Sequence, residues 1–297
     1  MKHTNSLITV ITPTYNRGHL ITKAIESVLN QTYENWEYII VDDASSDNTR
    51  EIVESFEDVR IKFFGCKENG GNAVARNVGV NAAHGEYIAF LDSDDEYLPG
   101  YLEKALNKLS NTKDADFLWS GTRTVAIDGS YSDSIWIPKT KRQPDQFLYE
   151  LHVGIGRGFL IKRKCFSDLN FDERLRTAVD TDFLIRLRKK FQYTVLEEIL
   201  LFINTQPGSV RADYSEKKKS YDIIIEKNKE TILHNDILRF KWYYKLLWLS
   251  LYDEDLELAK KAYSLIRFDG FKPTILYMLF KMFPKKKAIK FHKQLSS

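Results

Sequence analysis

At 297 residues, with 44 basic and 41 acidic side chains and a formal net charge of +3, the chain exceeds one ordinary domain and lacks the basic excess of a general nucleic-acid binder. Cys66 and Cys165 form no paired motif, which argues against a zinc knuckle or disulfide framework and suits a reducing compartment. No uncharged apolar run approaches the ~20 residues that cross a bilayer, and the N-terminal run is too short for a signal peptide, so a cytoplasmic protein is expected, at most peripheral on the cytoplasmic face of a membrane.

Residues 7–12 read as a buried strand, followed by the exit loop Pro13, Thr14, Tyr15, Asn16 and Arg17. Apolar residues recurring at three and four between positions 20 and 29 predict a helix with one core face. Residues 36–41 read as a second strand ending in Asp42 and Asp43, and Ser46 to Thr49 supply caps for a helix reaching Phe56. A third strand over 59–64, a helix over 72–83 and a fourth strand over 87–91 repeat the pattern, which implies a mostly parallel α/β sheet flanked by helices. Strand ends then bring Tyr15, Asp43 and the acids after Leu91 to one rim, where ligands of open α/β sheets bind.

The fourth strand runs into Asp92, Ser93, Asp94 and Asp95 before Pro99 and Gly100 open the next helix. Clustered carboxylates repel unless a positive group sits among them, and an all-oxygen set suits Mg²⁺ or Mn²⁺. The competing reading is a helix N-terminus, with Asp95 and Glu96 complementing the dipole. Asp43 can accept the imide N–H of a pyrimidine on which Tyr15 stacks, or it can cap the turn to Ser46. Arg76, in the helix after Asn69, Gly70, Gly71 and Asn72, can face a phosphate or hold Asp43 in place. No Gly-Lys-Thr follows those glycines and no G-x-G-x-x-G opens the first helix, which argues against an ATPase and a dehydrogenase.

Beyond a helix over 99–109, residues 115–127 read as a strand and Asp128-Gly129 as a hairpin turn. Residues 130–155 show little period and read as a surface segment over the site. Strands are expected over 156–161 and 193–203, with a short helix over 164–169. A helix ending near Phe191 carries Asp180 and Asp182. Their spacing pairs Asp182 with Arg186 on an exposed face, whereas Asp180 lies about 160° away around the axis, available to take a proton or to act as an N-cap. Helices without strand signals follow, so the expected domains are 1–212 and 213–297. The second ends in an apolar stretch over 274–283 and then Lys285, Lys286, Lys287, Lys290 and Lys293, a tail that can lie on an anionic membrane, pack internally or form a homodimer contact. The six histidines have no metal spacing.

The stretches VITPTYNR (10–17), QTYENWEYIIVDDASSDNT (31–49), ENGGNAVARNVGVNAAHGEYIAFLDSDDEYLPG (68–100), FDERL (171–175) and VDTDFLIRL (179–187) together resemble the inverting family-two glycosyltransferases of the GT-A fold. The resemblance spans roughly residues 7–210. It implies a Rossmann-like catalytic domain with a C-terminal helical extension. The activity implied is transfer of a hexosyl or N-acetylhexosaminyl unit from a nucleotide-sugar, a UDP-sugar first, to a glycan or lipid-linked acceptor in bacterial cell-surface polysaccharide synthesis. It also implies Pro13, Thr14, Tyr15, Arg17, Asp43, Arg76, Asp92 and Ser93 around the nucleotide, Asp94 with Asp92 on Mn²⁺ or Mg²⁺, and Asp180 as the base. Trp136, Arg157, Gly158, Phe159 and Asp95 are the expected acceptor or sugar contacts. Val179 stands where the family has a further acid and Gln206 where it often has a histidine, which weakens any metal or phosphate contact from the Gln206 loop. Two other classes compete. A nucleotidyltransferase shares the fold but carries a glycine-rich basic loop where this chain has Pro13 to Arg17, and a non-catalytic scaffold is free to lose the acids that are present here.

Overall fold

In the computed structural model, four parallel strands, β1 (Ile8–Thr14), β2 (Trp36–Asp42), β3 (Ile61–Gly65) and β4 (Tyr87–Phe90), lie in the order β3-β2-β1-β4. The structure describes residues 5–138, 145–151, 154–205, 213–267, 271–283, 285–286 and 288–290. Strands β1, β2 and β4 are buried along their whole length, which is why they read as unbroken apolar runs. Helices α1 (Gly18–Leu29), α2 (Thr49–Glu54) and α3 (Asn72–Ala82) make the crossovers. The third strand starts later than its sequence suggests: Val59 is exposed because Asp58 takes the Arg60 and Ile61 N–H groups in a turn.

The order reverses between β1 and β4, which places a crevice at their carboxyl ends. The remaining strands are β5 (Glu96–Tyr97), β6 (Phe117–Val125), β7 (Tyr131–Ser134), β8 (Phe159–Lys162) and β9 (Tyr193–Asn204). They extend the sheet from β4 through β8, β6 and β9 to β5, and β7 forms a hairpin with β6. Strand β5 is hidden in the sequence because acids ahead of Pro99 look like a helix start. In the fold Tyr97 is buried, its ring 4.1 Å from Tyr101 and its hydroxyl donating to the Phe90 carbonyl. Helices α4 (Tyr101–Asn111), α5 (Gln146–Glu150) and α6 (Val179–Lys190) complete this part. Helix α5 lies inside the segment without visible period, and a single 3-10 turn at Arg163–Phe166 stands where a short helix was expected.

The chain divides into one unit of Met1–Glu173 with Val179–Ser209 and another of Arg174–Ala178 with Val210–Ser297. The second unit is helical: α7 (Tyr214–Lys227), α8 (Lys229–Leu233), α9 (Asp236–Tyr252), α10 (Leu256–Ile266) and α11 (Phe271–Met282). Asp213, Asn235 and Asp255 cap α7, α9 and α10 with side-chain oxygens, and Lys218 bridges Asp253 and Asp255 at 2.6 and 2.8 Å. On α11, Leu276 is buried and Tyr277 stacks on Tyr263 at 4.4 Å, while Ile275, Met278 and Met282 are exposed. Lys287 and Lys293 of the basic tail lie outside the described residues, as does Gln206. Among the described residues no helix is long and apolar enough to cross a membrane.

Candidate active site

Strands β1 and β2 end in register at Thr14 and Asp42, and each exit loop turns through a left-handed non-glycine residue, Asn16 at φ 52° and Ala44 at φ 64°. Such residues persist only where surrounding contacts over-determine them. Here Asn16 Oδ1 accepts the Ser46 N–H at 2.8 Å and the Asn16 N–H donates to Ser45 Oγ at 2.8 Å, so the two loops are bonded together. Asp47 accepts the Gly18 and Thr49 N–H groups at 3.0 and 3.1 Å, anchoring the start of both α1 and α2. Arg17 takes part through its backbone, its N–H donating to Thr49 Oγ1 and its carbonyl accepting from Leu20 and Ile21.

It is Asp42, not Asp43, that bonds back into its own turn, accepting the Ser45 N–H at 3.0 Å. Asp43 reaches the neighbouring loop, where Oδ1 accepts the Gly70 N–H at 2.8 Å and Oδ2 the Gly71 N–H at 2.7 Å. Gly71 adopts φ 85°, open to glycine, as the chain enters α3. Each carboxylate oxygen keeps a further lone pair for a donor on a base. Pro13 and Thr14 are buried beside Asp43, and the Tyr15 ring is half-exposed on the rim.

Arg76 does not hold Asp43, contrary to one sequence expectation, because its guanidinium is turned to the acids of β4 and α6. Nη1 donates to Asp180 Oδ1 at 2.5 Å and Nη2 to Asp92 Oδ1 at 3.2 Å, although Asp180 is 104 residues distant in sequence. The Arg76 side chain is 3% exposed, and its Nε has no partner among the described residues. An aromatic stack brings α6 to this point. Phe90, at the end of β4, meets Phe171 edge-on at 5.6 Å, and Phe171 stacks on Phe183 of α6 at 4.3 Å. Asn77 of α3 fixes Phe171 through two backbone bonds of 3.0 and 2.9 Å. Asp180 Oδ2 also accepts the Ile155 N–H at 3.2 Å. Asp182 pairs with Arg186 as its spacing predicts, but the pair is not on an exposed face: Asp182 is buried, and Arg186 also donates to the Asn170 carbonyl.

Burial pushes the Asp92 carboxyl upward, Arg76 pulls it back, and Asp180 and Asp94 push it up again. Burial, with the Asp92 and Asp94 charges, drives Asp95 up to about 8 against the Asn204 N–H and Arg157. Ser93 is buried between these acids. Helix-dipole complementation does not explain them, since α4 begins only at Tyr101 with Gly100 as its N-cap. Asn204, at the end of β9, grips the acid turn. Its N–H donates to Asp95 Oδ1 at 3.0 Å and its side chain to the Asp94 carbonyl and Glu96 Oε1 at 3.0 and 2.9 Å. Among the described residues no three His, Cys, Asp or Glu side chains converge tightly enough to cage an ion. Oxygen donors of this kind instead fit Mg²⁺-type sites that use one or two carboxylates and complete their shell with substrate phosphates.

The aromatic residues expected at the acceptor are packed. Phe159 is fully buried between Phe117 and Trp119, because β8 lies inside the sheet between β4 and β6, and its ring has no face open to a sugar. Trp136 is half-buried, stacked at 5.0 Å on Trp119, whose indole N–H donates to the Trp136 carbonyl at 2.8 Å. Gly158, at φ 69°, packs on Ser120, and half-buried Arg157 adds positive charge near Asp95. Ile155, Asn204, Gly154 and Gly156 were not singled out by their sequence context. The alternating glycines of 154–158 are the signal that could have found three of these.

Residues 9–169 match the family described as Glycosyl transferase family 2. The chain is 33% identical over 201 residues to an uncharacterized glycosyltransferase of Methanocaldococcus jannaschii, covering 66% of this chain and 69% of the relative. Over 103 residues it is 47% identical to the UDP-Glc:alpha-D-GlcNAc-diphosphoundecaprenol beta-1,3-glucosyltransferase WfgD of Escherichia coli, covering 35% of this chain and 41% of the relative. The structure of S. aureus TarS 1-349 in complex with UDP-GlcNAc superposes with a TM-score of 0.63 at 18% identity, covering 96% of this chain and 89% of that one. The mannosyltransferase PcManGT from Pyrobaculum calidifontis, in complex with GDP-Man and Mn²⁺, gives 0.56 at 18% identity, covering 89% and 75%. At that identity the structural likeness is one of fold, and it meets the expectation of a GT-A-type sheet flanked by helices.

Proposed function

The chain belongs to glycosyl transferase family 2, and from that premise we propose an inverting enzyme that moves a hexosyl or N-acetylhexosaminyl unit from a UDP-sugar to a hydroxyl of a glycan or lipid-linked acceptor. The observation that carries this reading is Arg76, bonded at once to Asp92 and Asp180, which gathers donor-side and acceptor-side carboxylates at one place. The UDP-Glc and diphosphoundecaprenol named for the E. coli relative, and the UDP-GlcNAc bound by TarS, support the donor and acceptor classes.

In this mechanism Asp43, an acceptor only, takes the N3–H of uracil while Tyr15 offers its ring for stacking. Asp94 and Asp92 would hold Mn²⁺ or Mg²⁺ beside the diphosphate. When bound, the cation supplies Lewis-acid stabilisation of the departing nucleoside diphosphate. Asp180, held by Arg76 and the Ile155 N–H, accepts the proton of the acceptor hydroxyl as that oxygen attacks the anomeric carbon from the face opposite the leaving group. The bond to the diphosphate breaks as the new glycosidic bond forms, and a single displacement inverts the anomeric centre. The test is a panel of UDP-, GDP- and dTDP-sugars with and without Mn²⁺. Mn²⁺-dependent release of UDP supports the reading, and release that survives chelation or occurs only with other nucleotides counts against it.

The helical unit adds a second element. On α11 the exposed Ile275, Met278 and Met282 recur at three and four and so share a face. Lys272 is exposed on the same helix, and exposed Lys285 and Lys286 follow its end, Lys285 paired with Glu254 at 3.0 Å. An apolar stripe bordered by lysines suits the headgroup region of an anionic bilayer, so we read α11 as a peripheral anchor on the cytoplasmic face, where a lipid-linked acceptor is presented. Met278→Glu combined with Met282→Glu should abolish co-flotation with phosphatidylglycerol vesicles. Unchanged flotation, or conversion of a dimer to a monomer with lipid binding intact, would overturn the anchor.

A further inference from the structure

Residues 154–158 read Gly-Ile-Gly-Arg-Gly as the chain enters β8, and the first two glycines lie against two different acids. A Cβ on Gly154 would stand 2.7 Å from Asp180 Oδ2. A Cβ on Gly156 would stand 2.6 Å from Asp92 Cγ and 2.9 Å from its Oδ1. Neither glycine has a left-handed φ, so what both provide is room. Between them the Ile155 N–H donates to Asp180, while Arg76 bonds both acids. Bare backbone and the guanidinium therefore fix where the two carboxylates stand. Asp180 has the Ile155 N–H as an anchor independent of Arg76, so its position does not follow from that of Asp92.

We propose that Gly154 and Gly156 are positioning residues with separate tasks, an inference that rests on the transferase reading above. Gly156 sets the place of Asp92 and with it the diphosphate and cation side of the reaction. Gly154 sets the place of Asp180 and with it proton removal from the acceptor. A methyl group at either position must displace its carboxylate, and a shift on the order of 1 Å can cost about 10²-fold in rate.

The test measures Mn²⁺-dependent UDP binding by calorimetry alongside KM and kcat. Gly156→Ala should weaken UDP binding and raise the donor KM by about tenfold or more, whereas Gly154→Ala should leave UDP binding within about twofold and lower kcat by about 10²-fold. Each glycine acts through one acid, so Gly156→Ala should add nothing to the UDP-binding loss of Asp92→Ala, and Gly154→Ala nothing to the kcat loss of Asp180→Ala. Should Gly156→Ala fail to fold, the double variant with Asp92→Ala should be as stable as Asp92→Ala alone, because the three nearest atoms the methyl meets are gone. Additive double variants, one shared defect in both glycine variants, or a Gly156→Ala/Asp92→Ala double variant less stable than Asp92→Ala alone would overturn the assignment. Silent glycine variants beside inactive Asp180→Asn and Asp94→Asn would remove this inference and leave the transferase reading standing.

Discussion

The two ends of the same sheet treat carboxylates in opposite ways. At the amino ends, Glu37 of β2 accepts from Thr9 Oγ1 at 2.7 Å, the His84 N–H at 2.6 Å and Lys62 Nζ at 2.7 Å. Burial alone would raise Glu37, but Lys62, Thr9 and His84 together hold it down to about 2. At the carboxyl ends, Asp92 and Asp180 share the Arg76 guanidinium, Asp94 and Asp95 crowd beside them, and Asp92 and Asp95 are pushed up. A buried acid with all its donors in place stabilises a fold. Acids with more acceptor capacity than nearby donors are the ones that the proposed function assigns to a cation and a substrate.

Arg76→Met should disturb that contrast most. It leaves Asp92 and Asp180 without their shared counter-charge at a loss of roughly 3 kcal/mol, the low end for a broken buried pair because both acids keep some contact with water. Urea unfolding measures it, and a stability equal to wild type would mean that the guanidinium is not holding the acids. Glu37→Gln comes next, at about 1.5 kcal/mol, with UDP binding unchanged. Because the folded state holds Glu37 below its ordinary 4.5, the stabilisation is fully present above that pH and lost as the pH falls toward about 2. The gap between wild type and Glu37→Gln should therefore close over that window, and a gap independent of pH would contradict the assigned cause. Asn204→Ala, the mildest, should weaken Mn²⁺-dependent UDP binding by about fivefold, equivalent to about 1 kcal/mol, with little effect on melting. Lower stability with intact UDP binding would move Asn204 to the structural side of the comparison.

What the sequence revealed follows the range of the interactions involved. Strands β1, β2 and β4 are buried throughout, so their apolar runs are visible locally, and the i,i+4 spacing of Asp182 and Arg186 gives their pairing directly. The burial of that pair was not legible, because it depends on the Asn170 segment folding against α6. The convergence of Arg76 with Asp180 depends on Phe90, Phe171 and Phe183 stacking across distant segments, and no local spacing encodes it. Phe159 was expected at the acceptor beside Arg157 and Gly158, yet its strand pairs on both sides and closes over the ring, which no local spacing encodes. Strand β5 has two residues, too few for any period to appear.

The most direct test of shared residence by donor and base carboxylates sets Asp94→Asn beside Asp180→Asn in one series with UDP, Mn²⁺ and the preferred donor. Asp94→Asn should lose Mn²⁺-dependent UDP binding, while Asp180→Asn should bind UDP as wild type does and turn over at least ~10²-fold more slowly. Undiminished turnover in Asp180→Asn, or Mn²⁺-dependent UDP binding that survives Asp94→Asn, would contradict it.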